Sequence, residues 1–88
     1  MYYTYVLYSD KYDRLYIGQT DSLEIRINNH NQGLVRSTKY YCPWELIHFE
    51  VYNTRSEAMN RERELKSHQG RDFIRNKILT GRVRQLPD

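Results

Sequence analysis

Two runs of strand-forming residues lie close together at the start of the sequence. Residues 2–8 read Tyr-Tyr-Thr-Tyr-Val-Leu-Tyr. Residues 15–18, Leu-Tyr-Ile-Gly, resume the same character after the polar stretch Ser-Asp-Lys-Tyr-Asp-Arg. Tyrosine and β-branched side chains favour a pleated, half-buried surface, and so short a polar link between two such runs predicts a β-hairpin. With 88 residues in all, the chain has room for one small domain that buries at best about 60–65% of its unfolded surface.

The rest of the chain reads as elements that pack on this hairpin. Asp21 with Glu24 has the form of a capping box, and Leu23 and Ile27 follow at i, i+4, which predicts a helix of about three turns ending near Gly33. Residues 34–43 read as a loop stopped by Pro43. Residues 44–52 alternate, with Ile47, Phe49 and Val51 on one side, and read as a third strand. Trp44, Phe49 and Tyr52 are expected in core or sheet packing, and His48 as a hydrogen-bonded packing residue. Thr54 and Glu57 repeat the capping-box pattern and open a second helix, closed by Gly70. A shorter helix over residues 71–79 stops at Gly81, and residues 82–88 show no period and stay unassigned. The order is ββαβαα, an α+β single domain over residues 1–88.

Several classes are excluded at this stage. No segment approaches the roughly 20 apolar residues of a membrane helix, and Met-Tyr-Tyr-Thr-Tyr has no charged region leading into an apolar run. The single cysteine, Cys42, makes no internal disulfide and has no base at a nucleophile's spacing. The expectation is a soluble cytoplasmic protein without membrane association. Residues 1–54 hold five Lys/Arg and six Asp/Glu, whereas residues 55–84 hold nine and four. A solvated pair of helices accounts for that surplus; a face that tracks phosphates is the sharper reading. Nine tyrosines suit half-buried sheets and base stacking alike.

Two features go beyond packing. Arg26 and His30 stand four apart on the first helix, so one turn brings them onto one face. On the second helix Ala58, Glu62 and Leu65 fall at i, i+4, i+7, which places a carboxylate in a buried stripe. A half-buried carboxylate needs a partner. For Glu62 that is either a structural ion pair, with Arg26 a candidate, or a role as metal ligand or general base.

Tyr5, the Tyr16-Ile17-Gly18 tripeptide with Thr20, Arg26 eight residues after Gly18, His30, and Glu62 within "AMNRERELK" together resemble the GIY-YIG nuclease superfamily over residues 2–74. The first motif is written Tyr3-Thr4-Tyr5 here and keeps only its final tyrosine. The sequence is most similar to small stand-alone bacterial members, related in fold to the N-terminal nuclease domain of the excinuclease C subunit. The resemblance implies a three-stranded antiparallel sheet flanked by about three helices, and metal-dependent cleavage of nucleic acid, with DNA favoured over RNA as partner.

On that resemblance the catalytic set is Tyr5, Tyr16, Arg26, His30 and Glu62, expected to line one shallow concave surface beside the sheet. Arg26 clamps non-bridging phosphate oxygens in a two-pronged way. Glu62 holds Mg²⁺ or Mn²⁺, weakly without substrate, because such ions take one or two carboxylates and keep several waters. Tyr5 is the base, its pKa lowered by Arg26 and the metal or its proton passed on to His30, and Tyr16 positions water or phosphate. Arg26, Lys39, Arg61 and Lys66 are the expected nucleic-acid contacts, with residues 38–41 along the DNA side. A separate recognition domain does not fit in the chain, so a protein partner is expected to supply substrate specificity. The alternative is a module of the same fold that binds nucleic acid without cutting it efficiently.

Overall fold

The hairpin forms as the pattern predicts. The computed structural model describes residues 1–79. In it β1 (Tyr2–Ser9) pairs antiparallel with β2 (Arg14–Thr20). On its other side β1 pairs antiparallel with β3 (Glu45–Tyr52), giving a three-stranded sheet in the order β2-β1-β3. The helices are α1 (Leu23–Asn31), α2 (Arg55–Lys66) and α3 (His68–Phe73), the last running into a π-helical segment, Ile74–Leu79. The stop at Gly81 and the tail 82–88 lie outside the described residues.

β1 is central, so alternate side chains leave it towards two different layers. On one face Val6, Ile17, Leu65 and Ile74 form a buried cluster with Leu15, Ile47 and Ile78 against it. On the other, Tyr5, Leu7 and Trp44 are buried with Leu23, Ile27 and Leu46 around them. Full burial of one such aliphatic side chain stabilises by about 1.5–3 kcal/mol. Thr4, also buried, donates its hydroxyl to the Ala58 carbonyl at 2.7 Å and ties α2 to the sheet.

Three local readings are corrected. Asp21 does not cap α1: Ser22 occupies the cap position without a side-chain cap bond. The chain turns there through the Thr20 hydroxyl, which accepts the Ser22 N–H at 3.1 Å. Gly70 does not end α2. The helix stops at Lys66, Ser67 caps α3 by accepting the Gly70 N–H at 3.1 Å, and Gly70 lies inside α3. A Cβ on Gly70 would stand 2.2 Å from the Glu64 carbonyl oxygen and 2.5 Å from Leu65 Cα, so glycine is there for close approach of two backbones. Finally, Ile47 does not share a side with Phe49 and Val51, which are 48% and 45% exposed, with Phe49 packed edge-on against Tyr3 in the sheet. The register against β1 shifts between Val6 and Leu7, and this bulge sends Ile47 to the α2 side while Phe49 stays opposite Tyr5 on the α1 side.

Candidate active site

Tyr5 and Gly18 face each other across the β1–β2 ladder. A Cβ at position 18 would meet the Tyr5 hydroxyl at 2.7 Å and the Tyr16 ring at 3.0 Å. The glycine of Tyr16-Ile17-Gly18 is therefore the gap through which the Tyr5 phenol reaches across β2. The Tyr5 hydroxyl meets His30 Nε2 at 2.9 Å, and His30 Nδ1 meets the Thr38 hydroxyl at 2.8 Å. All three residues are fully buried. The Tyr16 ring packs on the imidazole with centroids 4.7 Å apart.

α1 carries Arg26 one turn before His30, as the spacing requires, and the nearby Tyr5 and Tyr16 raise the arginine's pKa, most through Tyr5. Glu62 stands on α2, and its charge is the least of the influences on Tyr5. Its side chain is 22% exposed and accepts from Lys66 Nζ at 2.6 Å. Among the described residues the ion-pair partner of Glu62 is thus Lys66 and not Arg26, and Ala58 and Leu65 are buried on the stripe predicted for them.

The burial of this group reshapes its electrostatics. Tyr5 is pushed up to about 12, chiefly by desolvation; the nearby Arg26 guanidinium lowers it but does not offset the burial. His30 is pushed down to about 4, first by burial and then by the Arg26 charge, so its imidazole is neutral at pH 7. Arg26 thus acts on Tyr5 in the expected direction, and desolvation is the larger effect. The five residues also do not line one surface. Tyr16, Arg26 and Glu62 are partly accessible, whereas Tyr5 and His30 lie buried behind them.

The expected phosphate contacts separate. Lys39 is exposed, its ammonium 5.0 Å from the Tyr40 ring centroid, and Lys66 stands beside Glu62. Arg61 is otherwise engaged: Nε reaches Glu50 at 2.8 Å, Nη2 the same carboxylate at 3.2 Å, and Nη1 Glu64 at 3.1 Å. Glu50 also accepts from His48 at 2.7 Å and from the Tyr52 hydroxyl. Burial raises and these donors lower Glu50, for a net fall to about 2. Thr38, expected on the DNA side, is buried against His30. Sequence spacing holds no sign of that contact, since position 38 falls in a loop of no period.

Among the described residues no three His, Cys, Asp or Glu side chains gather as a metal cluster. One half-buried carboxylate, Glu62, suits an ion that keeps most of its water, as Mg²⁺ does, better than zinc with its several protein ligands.

Compared with known proteins, the chain matches the GIY-YIG catalytic domain over residues 1–77. It is 40% identical to a UPF0213 protein of Natronomonas pharaonis over 67 residues, 75% of this chain and 78% of that one. A UPF0213 protein of Staphylococcus haemolyticus is 39% identical over 67 residues, covering 75% and 80%. The match to a UPF0213 protein of Haloquadratum walsbyi is 42% identical over 57 residues and spans 64% of each chain. The solution NMR structure of a UPF0213 protein from Bacillus halodurans aligns with a TM-score of 0.52 and 26% identity, over 86% of this chain and 84% of that one.

Proposed function

The chain belongs to the GIY-YIG catalytic-domain family, a family of nucleases, and from that premise we propose that it hydrolyses phosphodiester bonds in nucleic acid, DNA before RNA. The observation that carries the proposal is the 2.9 Å contact between a buried Tyr5 hydroxyl and a neutral His30, with the Arg26 charge acting on both. A phenol at about 12 is too weak an acid to stand ionised at pH 7. It works instead as a relay. The attacking water must reach the Tyr5 hydroxyl past Tyr16 and Arg26, which stand accessible in front of it; as it attacks phosphorus, Tyr5 accepts its proton and gives its own to His30 Nε2. The phosphorus–oxygen bond to the leaving 3′-oxygen breaks, and that oxygen takes a proton from solvent. Arg26 donates to the non-bridging oxygens, whose charge grows towards the pentacovalent state.

Glu62 is the residue that would hold a Mg²⁺ or Mn²⁺ ion, displacing the Lys66 ammonium from its carboxylate. Such an ion supplies charge stabilisation at the phosphate and the leaving oxygen. Lys39 and Lys66 carry phosphate binding with Arg26, and a protein partner supplies the choice of substrate.

One set of measurements tests this: initial cleavage rate and equilibrium binding on one DNA substrate, with Mg²⁺ or Mn²⁺. Glu62→Gln loses metal-dependent cleavage and keeps wild-type affinity. Tyr5→Phe binds but cuts at least about 100-fold more slowly, the low end of general-base effects. Arg26→Ala loses rate and some affinity together, because it touches phosphate in both ground and transition states. Wild-type cleavage by Glu62→Gln sinks the mechanism. A wild-type protein that binds DNA and never cuts it favours the binding-module reading.

A further inference from the structure

A neutral imidazole has one N–H, and which nitrogen carries it decides whether His30 can take a proton from Tyr5. We propose that Thr38 is the positioning residue of this site: its hydroxyl oxygen accepts the Nδ1 proton of His30 and so keeps Nε2 free as the acceptor of the Tyr5 proton. The catalytic consequence rests on the phosphodiesterase reading above; the proton placement itself does not.

Two arrangements satisfy the contacts of 2.9 Å and 2.8 Å around the ring. Either Tyr5 donates to Nε2 and Nδ1–H donates to Thr38, or Thr38 donates to Nδ1 and Nε2–H donates to Tyr5. Two observations favour the first. The Thr38 hydroxyl has another acceptor, the Val35 carbonyl at 3.4 Å, a long contact that nonetheless gives its proton a direction away from the ring. The Arg26 guanidinium, which can only donate, acts on the Tyr5 hydroxyl from nearby and favours its oxygen as an acceptor. In the reverse arrangement that oxygen takes N–H groups from both Arg26 and His30, and the phenolic proton is turned away from both. In the first, the Tyr5, His30 and Thr38 protons each have an acceptor, in one direction along the chain.

Thr38 is itself held tightly. Its carbonyl accepts the Trp44 indole N–H at 3.0 Å and the Tyr41 N–H at 3.0 Å, and its own N–H donates to Val35 at 3.1 Å. Trp44, which otherwise reads as plain core, therefore fixes the residue that orients the histidine.

The test is the tautomer, read from the ¹⁵N chemical shifts of labelled His30 at pH 7 in wild type, Thr38→Val and Thr38→Ser. Wild type shows the Nδ1–H form. Thr38→Val, nearly isosteric but without an acceptor, shifts towards Nε2–H, and Thr38→Ser restores the wild-type pattern. In cleavage, Thr38→Val lowers kcat about 100-fold with KM unchanged, and Thr38→Ser recovers it. A wild-type spectrum of the Nε2–H form overturns the proposal with no variant needed, as does an unchanged tautomer in a folded Thr38→Val. If the tautomers behave as expected and wild type cuts no nucleic acid, the phosphodiesterase reading fails and the role of Thr38 in placing the proton stands.

Discussion

At the scale of single residues, burial decides more than neighbouring charge. His30 lies at an ordinary helical spacing from Arg26, and that pairing was legible in the sequence. Its complete burial was not, because position 30 is closed off by residues 38–44, whose loop conformation no periodicity specifies. The consequence is measurable in stability. The folded pKa of His30 is about 4, below the ordinary 6.5 expected when unfolded. Between those values the unfolded chain binds a proton that the native state refuses, so stability is complete above pH 6.5 and falls as pH drops towards 4. Two and a half units correspond to roughly 3 kcal/mol at most. Glu50, held at about 2, acts in a lower window: its contribution is present above pH 4.5 and is lost as pH falls to 2. Urea titrations from pH 7 to 4 are expected to show this decline in wild type and its absence in His30→Gln. A wild type whose midpoint is flat over that range would contradict the buried neutral histidine.

At the scale of elements, the sequence was readable where a local rule had no competitor. The Thr54–Glu57 capping box is formed in both directions, with Thr54 accepting the Glu57 N–H at 3.2 Å and Glu57 accepting the Thr54 N–H at 3.2 Å. Asp21 and Glu24 show the same spelling without the bond, since the Thr20 hydroxyl turns the chain first. Gly70 looked like a helix stop and is a contact between α2 and α3, which depends on a bend at Ser67 that the helical pattern runs straight through. Phe49 and Val51 keep the alternation, and Ile47, the extra residue of the bulge, joins the opposite face. The two helix-end features differ in strength. Thr54→Ala should cost about 1 kcal/mol, the usual worth of a cap. Gly70→Ala should cost more, about 2–3 kcal/mol, even though alanine favours a helix by about 1 kcal/mol. The added carbon meets backbone atoms of Glu64 and Leu65 that no rotamer change can move. Urea midpoints at unchanged m-value check the order, and a stabilised Gly70→Ala would show that α3 does not sit against the end of α2.

At the scale of the whole molecule, charge is sorted by face. The groove between α1 and the exposed side of β3 is lined by Tyr3, Leu23, Leu46, Phe49 and Val51, with Asp21 and Glu24 at its rim. Such a surface repels phosphate. Lys66 pairs with Glu62, Arg26 lies by Tyr5 and Tyr16, and Lys39 is exposed on the turn that follows Thr38. Nucleic acid is therefore expected on the Arg26–Lys66 side, and each lysine that neutralises a phosphate releases a counterion. Lys66→Ala and Lys39→Ala should each reduce the slope of log affinity against log salt by about 1 on duplex DNA. Arg61 separates a genuine contact from mere positive charge. Its guanidinium is held by Glu50 and Glu64, so Arg61→Met should leave the salt slope unchanged while leaving the half-buried Glu50 without its strongest partner and lowering stability. Asp21→Asn, on the groove side, should change neither slope nor cleavage. Fluorescence-anisotropy titrations of the four variants over a range of salt concentrations decide it. A reduced slope for Arg61→Met with unaltered stability would place phosphate on the β3 side of α2 and move the binding face away from Tyr5.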